Sequence, residues 1–282
     1  MYTLIAENQY SEQLELTHNE NYSVKVVDGF DPPDAIINTT RNAGQDGSNF
    51  NSAYSDERVI TITLAINYPA EVNRINLYRY FKNKHPVRLH YRNESRKVWI
   101  DGYVQSFQVA YFDKKETAQI TVRCPRPYLN SESTIYERMY NLYSLFTFPF
   151  SIAEEGIPFS SLERANRKAI VNDGDIEIGF IVKITAKGSV TNPGILDSVK
   201  NQMIRITDTL SSGDQVIFDT RSGHKGVWKM VDGVKTNIIN KLTNTSKWLV
   251  LAPGENIFLP LALSGSQYID ATFEIVYQYE GV

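Results

Sequence analysis

The chain has 282 residues, enough for two domains that each bury a core, and its 42% hydrophobic and 22% charged residues describe a folded globular protein. With 29 basic against 32 acidic side chains its formal charge is -3, which offers no electrostatic footprint for gripping nucleic acid or an anionic membrane. The absence of any apolar run near the ~20 residues of a membrane helix argues against membrane insertion. The N-terminus from Met1 to Asn8 lacks the basic and apolar regions of a signal peptide. One cysteine, Cys124, excludes an internal disulfide and any multi-cysteine metal site.

Tyr (17) and Phe (13) are abundant, and Val, Ile and Thr recur in short runs, so the composition leans to strand. Tyr22 to Asp28 alternates as a strand and stops at Gly29. Arg58 to Ile66 is another, with Val59, Thr61 and Thr63 on one face and Ile60, Ile62 and Leu64 on the other. Between them Asn38 to Ser55 is rich in Asn, Ser, Thr and Gly, whose side chains compete for backbone hydrogen bonds and disfavour regular structure. A solvated surface loop is the slightly favoured reading. The sharper one is an arm that orders against a neighbouring subunit and places Arg41, Asn42, Gln45, Asp46, Asn49 and Phe50 in that interface. Ala70 to Lys82 follows Pro69 and spaces Val72, Ile75, Tyr78 and Phe81 as one helical face. Val98 to Phe112 and Thr117 to Arg123 form a hairpin around Asp113-Lys114-Lys115.

The prolines of Cys124-Pro125-Arg126-Pro127-Tyr128 cannot continue a central strand, so a domain of residues 1–130 ends there. Residues 131–165 show no clear period and read as a connecting segment, with the aromatics of Tyr140 to Phe150 packing on the second domain. The remainder, 166–282, reads as short strands: Ile176 to Ala186, Met203 to Thr207, Asp214 to Asp219, Lys247 to Leu251, Asn256 to Leu263 and Ile269 to Tyr279. Turns separate them at Asn172-Asp173-Gly174, Asn192-Pro193-Gly194, Ser212-Gly213-Asp214, Asp232-Gly233 and Pro253-Gly254. This rhythm predicts an antiparallel sandwich or jelly roll.

Five phrases occur in a telling order. Cys124-Pro125-Arg126-Pro127-Tyr128 closes the first domain. Asn172-Asp173-Gly174-Asp175 follows, then Gly188 through Asn192-Pro193-Gly194-Ile195, then Gly213-Asp214-Gln215-Val216-Ile217-Phe218-Asp219-Thr220. Leu251-Ala252-Pro253-Gly254-Glu255-Asn256 comes last. The set resembles the siphophage distal tail protein family, Dit. That resemblance implies a mainly β protein: an N-terminal ring-forming domain, similar to tail-tube proteins and with one helix, and a C-terminal galectin-like antiparallel β-sandwich. It implies a homohexamer, in single or stacked rings, located in the virion at the tail tip and made in the host cytoplasm. The ring would join the tail tube protein to a tail-associated hub protein and receptor-binding proteins, with DNA as transient cargo. No carbohydrate-binding insertion lies between the sandwich strands, which puts direct glycan binding in doubt.

Catalytic readings are weak. His18, His85, His90 and His224 are dispersed, and none has metal-ligand spacing; His85 and His90 suit surface or interface roles. Asp219, Ser222 and His224 share one turn, whereas a triad assembles from separate segments. Asp173, Asp175 and Glu177 lack a calcium loop's length and closing Glu. Cys124 reads as a small buried residue. No enzyme, cofactor or metal is expected. The alternative function is a carbohydrate-binding adhesin, for which Trp228, beside the turn that carries His224, is the exposed-contact candidate, while Trp248 belongs to the core.

Overall fold

The computed structural model describes residues 2–44, 46–111, 115–140 and 167–282. The chain divides into two compact units, Met1–Ser133 with Val276–Val282, and Thr134–Ile275.

In unit 1 the elements are β1 (Thr3–Asn8), β2 (Gln13–Glu15), β3 (Tyr22–Asp28), β4 (Ala35–Thr40), β5 (Asn49–Ser55), β6 (Arg58–Ile66), α1 (Ala70–Tyr80), β7 (Pro86–Arg92), β8 (Lys97–Ala110), β9 (Thr117–Cys124) and β10 (Leu129–Ser131). One antiparallel sheet runs β2-β1-β7-β8-β9-β6-β3, and β10 adds to β8 and to the C-terminal strand Gln278–Tyr279. The period of two decides what is inside. Ile60, Ile62 and Leu64 are fully buried, as their alternation predicts, and meet Leu89, Ile100, Ile120 and Val122 in one core. The hairpin of β8 and β9 forms as expected, its turn residues Asp113 and Lys114 lying outside the described residues.

Two expectations in this unit are corrected. Helix α1 exists, but it buries Asn73 and Leu77, while Val72, Ile75 and Tyr78 are exposed. Asn73 claims the inner face because its polar groups are satisfied there. Its amide donates to the Asn67 carbonyl at 3.0 Å, and its own carbonyl accepts from the Tyr22 hydroxyl at 3.0 Å. The second correction is Asn38 to Ser55, which is no irregular loop. β4 and β5 pair over six positions, from Ala35 opposite Ser55 to Thr40 opposite Asn49, as a two-stranded ribbon apart from the main sheet. Ile36, Ile37, Thr39 and Thr40 supply β-branched side chains, and the amides of Asn38 and Asn51 donate across the strands to Ser52 and Thr40.

Beyond Cys124 the chain turns, then resumes the same sheet as β10, so unit 1 runs past residue 130 to Ser133 and takes back the last seven residues, 276–282. Arg58 fastens that return. Buried to 3% exposure, its guanidinium donates to the carbonyls of Gly29, Asp31, Pro127 and Glu280 at 2.5–2.7 Å. Four carbonyls in place of a carboxylate satisfy a buried cation's donors. Burial pushes the Cys124 thiol up to about 12, so it stays protonated and inert at neutral pH.

Unit 2 contains β11 (Ile135–Tyr140), β12 (Lys168–Asn172), β13 (Ile181–Ala186), β14 (Val190–Thr191), β15 (Gly194–Asp197), β16 (Gln202–Arg205), β17 (Thr209–Leu210), β18 (Gln215–Asp219), β19 (Gly226–Val231), β20 (Val234–Asn237), β21 (Gly254–Leu261) and β22 (Ile269–Ile275). A six-stranded antiparallel sheet, β11-β22-β13-β18-β19-β20, and a four-stranded one, β12-β21-β15-β16, make the sandwich. Phe258 of one sheet meets Phe273 of the other with ring centroids 5.3 Å apart, and Phe180 packs on both at 5.5 and 5.6 Å.

The segment 131–165 is therefore not all connection, since β11 completes an edge of the larger sheet. Its aromatic run, from residue 141 on, lies outside the described residues. Lys247 to Leu251 is not a strand; Leu251 makes a single bridge to Ile178, and Lys247 is tied instead to the carbonyl of Met203. Ile269 to Tyr279 breaks after Ile275, where the chain leaves for unit 1 and ends as β23 (Gln278–Tyr279).

Candidate interaction surfaces

The ribbon of β4 and β5 collects the expected arm residues. Asn49 and Phe50 lie on β5, Arg41 and Asn42 follow β4, and Asp46 sits in the connecting loop; Gln45 lies outside the described residues. The register also reveals partners that the reading of this stretch as loop missed. Ile37 stands opposite Ala53 and shares a face with Phe50, while Ile36 and Tyr54 pair on the other face. Exposure is 62% at Ile37, 66% at Phe50 and 54% at Tyr54. A two-stranded ribbon is marginal alone, and one with apolar groups on both faces needs a cover. The run Ile-Ile-Asn-Thr-Thr was the available signal.

A second surface is the outward face of β3, β6, β9 and β8. Across these strands Val26, Thr63, Gln119 and Gln108 form one row, Asp28, Thr61, Thr121 and Ser106 the next, and Val59, Arg123 and Tyr103 a third. Hydroxyls and amides dominate. The charged members are Asp28 and Arg123, and Arg123 is ion-paired with Glu57.

Three arginines of the basic stretch 79–96 are held by carboxylates in the same unit. Arg88 binds Asp101 through two nitrogens at 2.7 and 3.1 Å and lies 3.9 Å over the Trp99 ring. Arg92 binds Glu132 at 2.8 Å, and Arg79 reaches Glu12 at 3.4 Å. His90, nearly buried, has one ring nitrogen 3.2 Å from Glu7 and the other 3.2 Å from Glu132.

In unit 2, Trp228 is half-buried on β19. A Cβ added at Gly226 would collide with its ring, and the Lys235 ammonium sits 4.4 Å above the ring centroid. A sugar would have to displace that lysine to stack there. His224 lies exposed in the turn before β19. Trp248 is half-buried too, with Leu249 and Leu251 the core residues beside it. Asp219 belongs to an ion pair, accepting from Arg221 at 2.9 and 2.7 Å. Among the described residues no group of three or more His, Cys, Asp or Glu is placed to hold a metal ion, and no helix is long and apolar enough to cross a membrane.

Three of the five phrases that carry the resemblance prove to hold fasteners. Asn172 donates to the carbonyls of Ile176 and Leu251 and accepts from the Gly174 amide. Asn256 donates to Ala252 and Gly254. Since Asn172 pairs with Gly254 in register, two of the phrases form one corner of the sandwich. Thr220 both donates to the Phe180 carbonyl and accepts its amide, at 3.0 and 2.9 Å. Each buries a polar group with its partners in place.

Two family models match the chain. One, described as a phage tail protein RIFT-related domain, takes in residues 11–124; the other, the C-terminal domain of a siphovirus-type tail component, takes in 173–277. No curated protein sequence matches. Among solved structures, the Dit protein of phage SPP1, described as a paradigm of the hub adsorption apparatus in phages infecting Gram-positive hosts, is similar with a TM-score of 0.69 at 12% identity, over 98% of this chain and 99% of that one. Chains of the phage p2 baseplate in its activated conformation, with calcium or with strontium, are similar with a TM-score of 0.53 at 13% identity, over 100% of both chains. At such identities the structures speak for the fold and the family models for descent. With both units matched in order, the chain belongs to the siphophage distal tail protein family, Dit, and is a structural component of a phage tail.

Proposed function

We propose that this tail component closes into a ring through unit 1, six copies by family analogy, and joins the tail tube to the adsorption apparatus without catalysing a reaction. The observation that carries this reading is the β4–β5 ribbon, which bears apolar side chains on both faces and is left uncovered among the described residues. A heterologous contact that repeats at the correct rotation closes a ring, and an outstretched ribbon is suited to such a contact. The likeness to phage hub and baseplate structures supports the placement at the tail tip. The adhesin reading has no comparable support, because Lys235 already occupies a face of Trp228.

The hydroxyl- and amide-rich face of β3, β6, β9 and β8 lines the channel in this reading. A conduit for a polyanion must not hold it, and each unpaired Lys or Arg in the lining would add salt-dependent binding. Electron microscopy and sedimentation of the full-length protein test the ring: closed particles with a central hole are expected, and monomers at every concentration would overturn it. A gel-shift titration at low salt tests the lining. Negligible binding of duplex DNA is expected, with Gln119→Lys combined with Thr121→Lys introducing it; micromolar, salt-sensitive binding by the parent protein would end the conduit reading.

A further inference from the structure

A ring built from one contact needs two unlike surfaces on every copy, one given and one received. The ribbon supplies the first, and unit 1 exposes a second apolar set at the outer side of α1. Val72 is 64% exposed and Ile75 55%, and Tyr78 follows one turn on. Side chains three apart on a helix are neighbours, so these three make a stripe. Tyr111 extends it, its hydroxyl 3.3 Å from that of Tyr78, and Tyr68 stands almost fully exposed just before the helix. Single exposed apolar residues are ordinary on protein surfaces, but a contiguous stripe marks an interface.

We propose that the outer face of α1 is the seat on which the β4–β5 ribbon of a second copy lies, a statement that rests on the ring reading above. The two surfaces match in length. A strand of six or seven residues spans roughly 20 Å and an eleven-residue helix about 16 Å. They match in chemistry, with Ile37, Ala53 and Phe50 on one ribbon face able to cover Val72, Ile75 and Tyr78. They also match in charge. Among the described residues, Arg41 at the ribbon's end has no carboxylate partner and Glu71 in the first turn of α1 has no basic one, so each copy carries one half of an ion pair. The inward turn of Asn73, which rotates the apolar stripe of α1 outward, is then the feature that creates the acceptor.

The test uses two full-length variants, Phe50→Asp, which spoils the ribbon, and Ile75→Asp, which spoils the seat. Both sites are more than half exposed, so thermal melting should match the parent's and report that each variant folds. Each alone should associate more than about tenfold more weakly than the parent in sedimentation, as expected for an apolar anchor replaced by a buried charge. Mixed in equal amounts, the two variants retain one intact ribbon and one intact seat, and should form heterodimers that grow no further. A charge swap is the second measurement: Arg41→Glu should weaken assembly, and Arg41→Glu with Glu71→Arg should restore it. Parent-like assembly by Ile75→Asp, beside loss in Phe50→Asp, would overturn the seat while leaving the ring standing. Parent-like assembly by both variants would overturn the seat and remove the ribbon from the ring interface. A parent protein that never assembles would overturn both readings.

Discussion

Two hairpins of this chain show what a third strand does. β19 and β20 are joined by the two-residue turn Asp232-Gly233, with φ of 49° and 80°, and β19 is hydrogen-bonded on its other side to β18. Gly226 and Val227 of β19 are buried and Trp228 is half-buried, so that hairpin is anchored through β19 while β20 stays exposed along its length. β4 and β5 are separated by eight residues, 41–48, and among the described residues have no neighbouring strand and no buried face. The first hairpin is part of a domain's stability. The second contributes little to it, and its side chains are available to something else.

That contrast can be broken by mutation, and the expected effects fall in a clear order. The largest belongs to the sandwich core: Phe258→Ala removes a ring packed on Phe180 and Phe273 and should cost about 3–5 kcal/mol in denaturant unfolding. Next is the tight turn. Gly233→Val places a β-branched side chain at positive φ and should cost roughly 1–2 kcal/mol, measured by the thermal midpoint; an unchanged midpoint would mean β20 adds nothing to unit 2.

A smaller effect tests the opposite edge of the same sheet. The hydrogen bonds from Arg138 on β11, with help from Lys187, hold the Asp270 carboxyl below the usual carboxylate range. A lowered folded value means this stabilisation is full above the ordinary carboxylate pKa and is lost as pH falls through the folded one. Arg138→Ala should therefore lose less than about 1 kcal/mol at neutral pH, the arginine being largely exposed, and the difference from the parent should vanish on acidification. A difference that persists in strong acid would assign the loss to packing. The smallest effect on monomer stability, below about 0.5 kcal/mol, is expected from deleting Asn42 to Asn51, because loop closure depends weakly on length. Ring assembly should nevertheless fail; particles that still form would make the ribbon a solvated appendage.

The same contrast explains what was legible beforehand. Strands with one wet face write their pattern at period two, and Arg58 to Ile66 could be read to the residue. The Asp232-Gly233 turn is equally plain. The ribbon was hidden because neither of its faces is buried, so no alternation exists to be read; its strand character lies in β-branched residues set among Asn and Ser. Helix α1 misled for a related reason. Its apolar positions face outward and its buried position is the hydrogen-bonded Asn73, an arrangement that reverses the usual inference from hydropathy. The interaction surfaces were thus the least readable parts, since their pattern answers to a partner and not to the chain's own core. Lys247 to Leu251 failed differently, as an apolar run held by irregular bonds to Met203 and Ile178.

The return of the C-terminus has a mechanical consequence. Unit 2 lies between Ser133 and Val276 in the chain, and both flanking segments belong to unit 1, where the amide of Ser131 donates to the Tyr277 carbonyl at 2.8 Å and the Tyr277 amide to the Ser131 hydroxyl at 3.1 Å. Arg58 pins the second segment further along, at Glu280. Any pull on the sandwich therefore reaches unit 1 through two segments that are hydrogen-bonded to each other. The same wiring makes the sandwich a cassette: its two ends leave from adjacent points, so a different module could be spliced between them without opening the sheet that carries it.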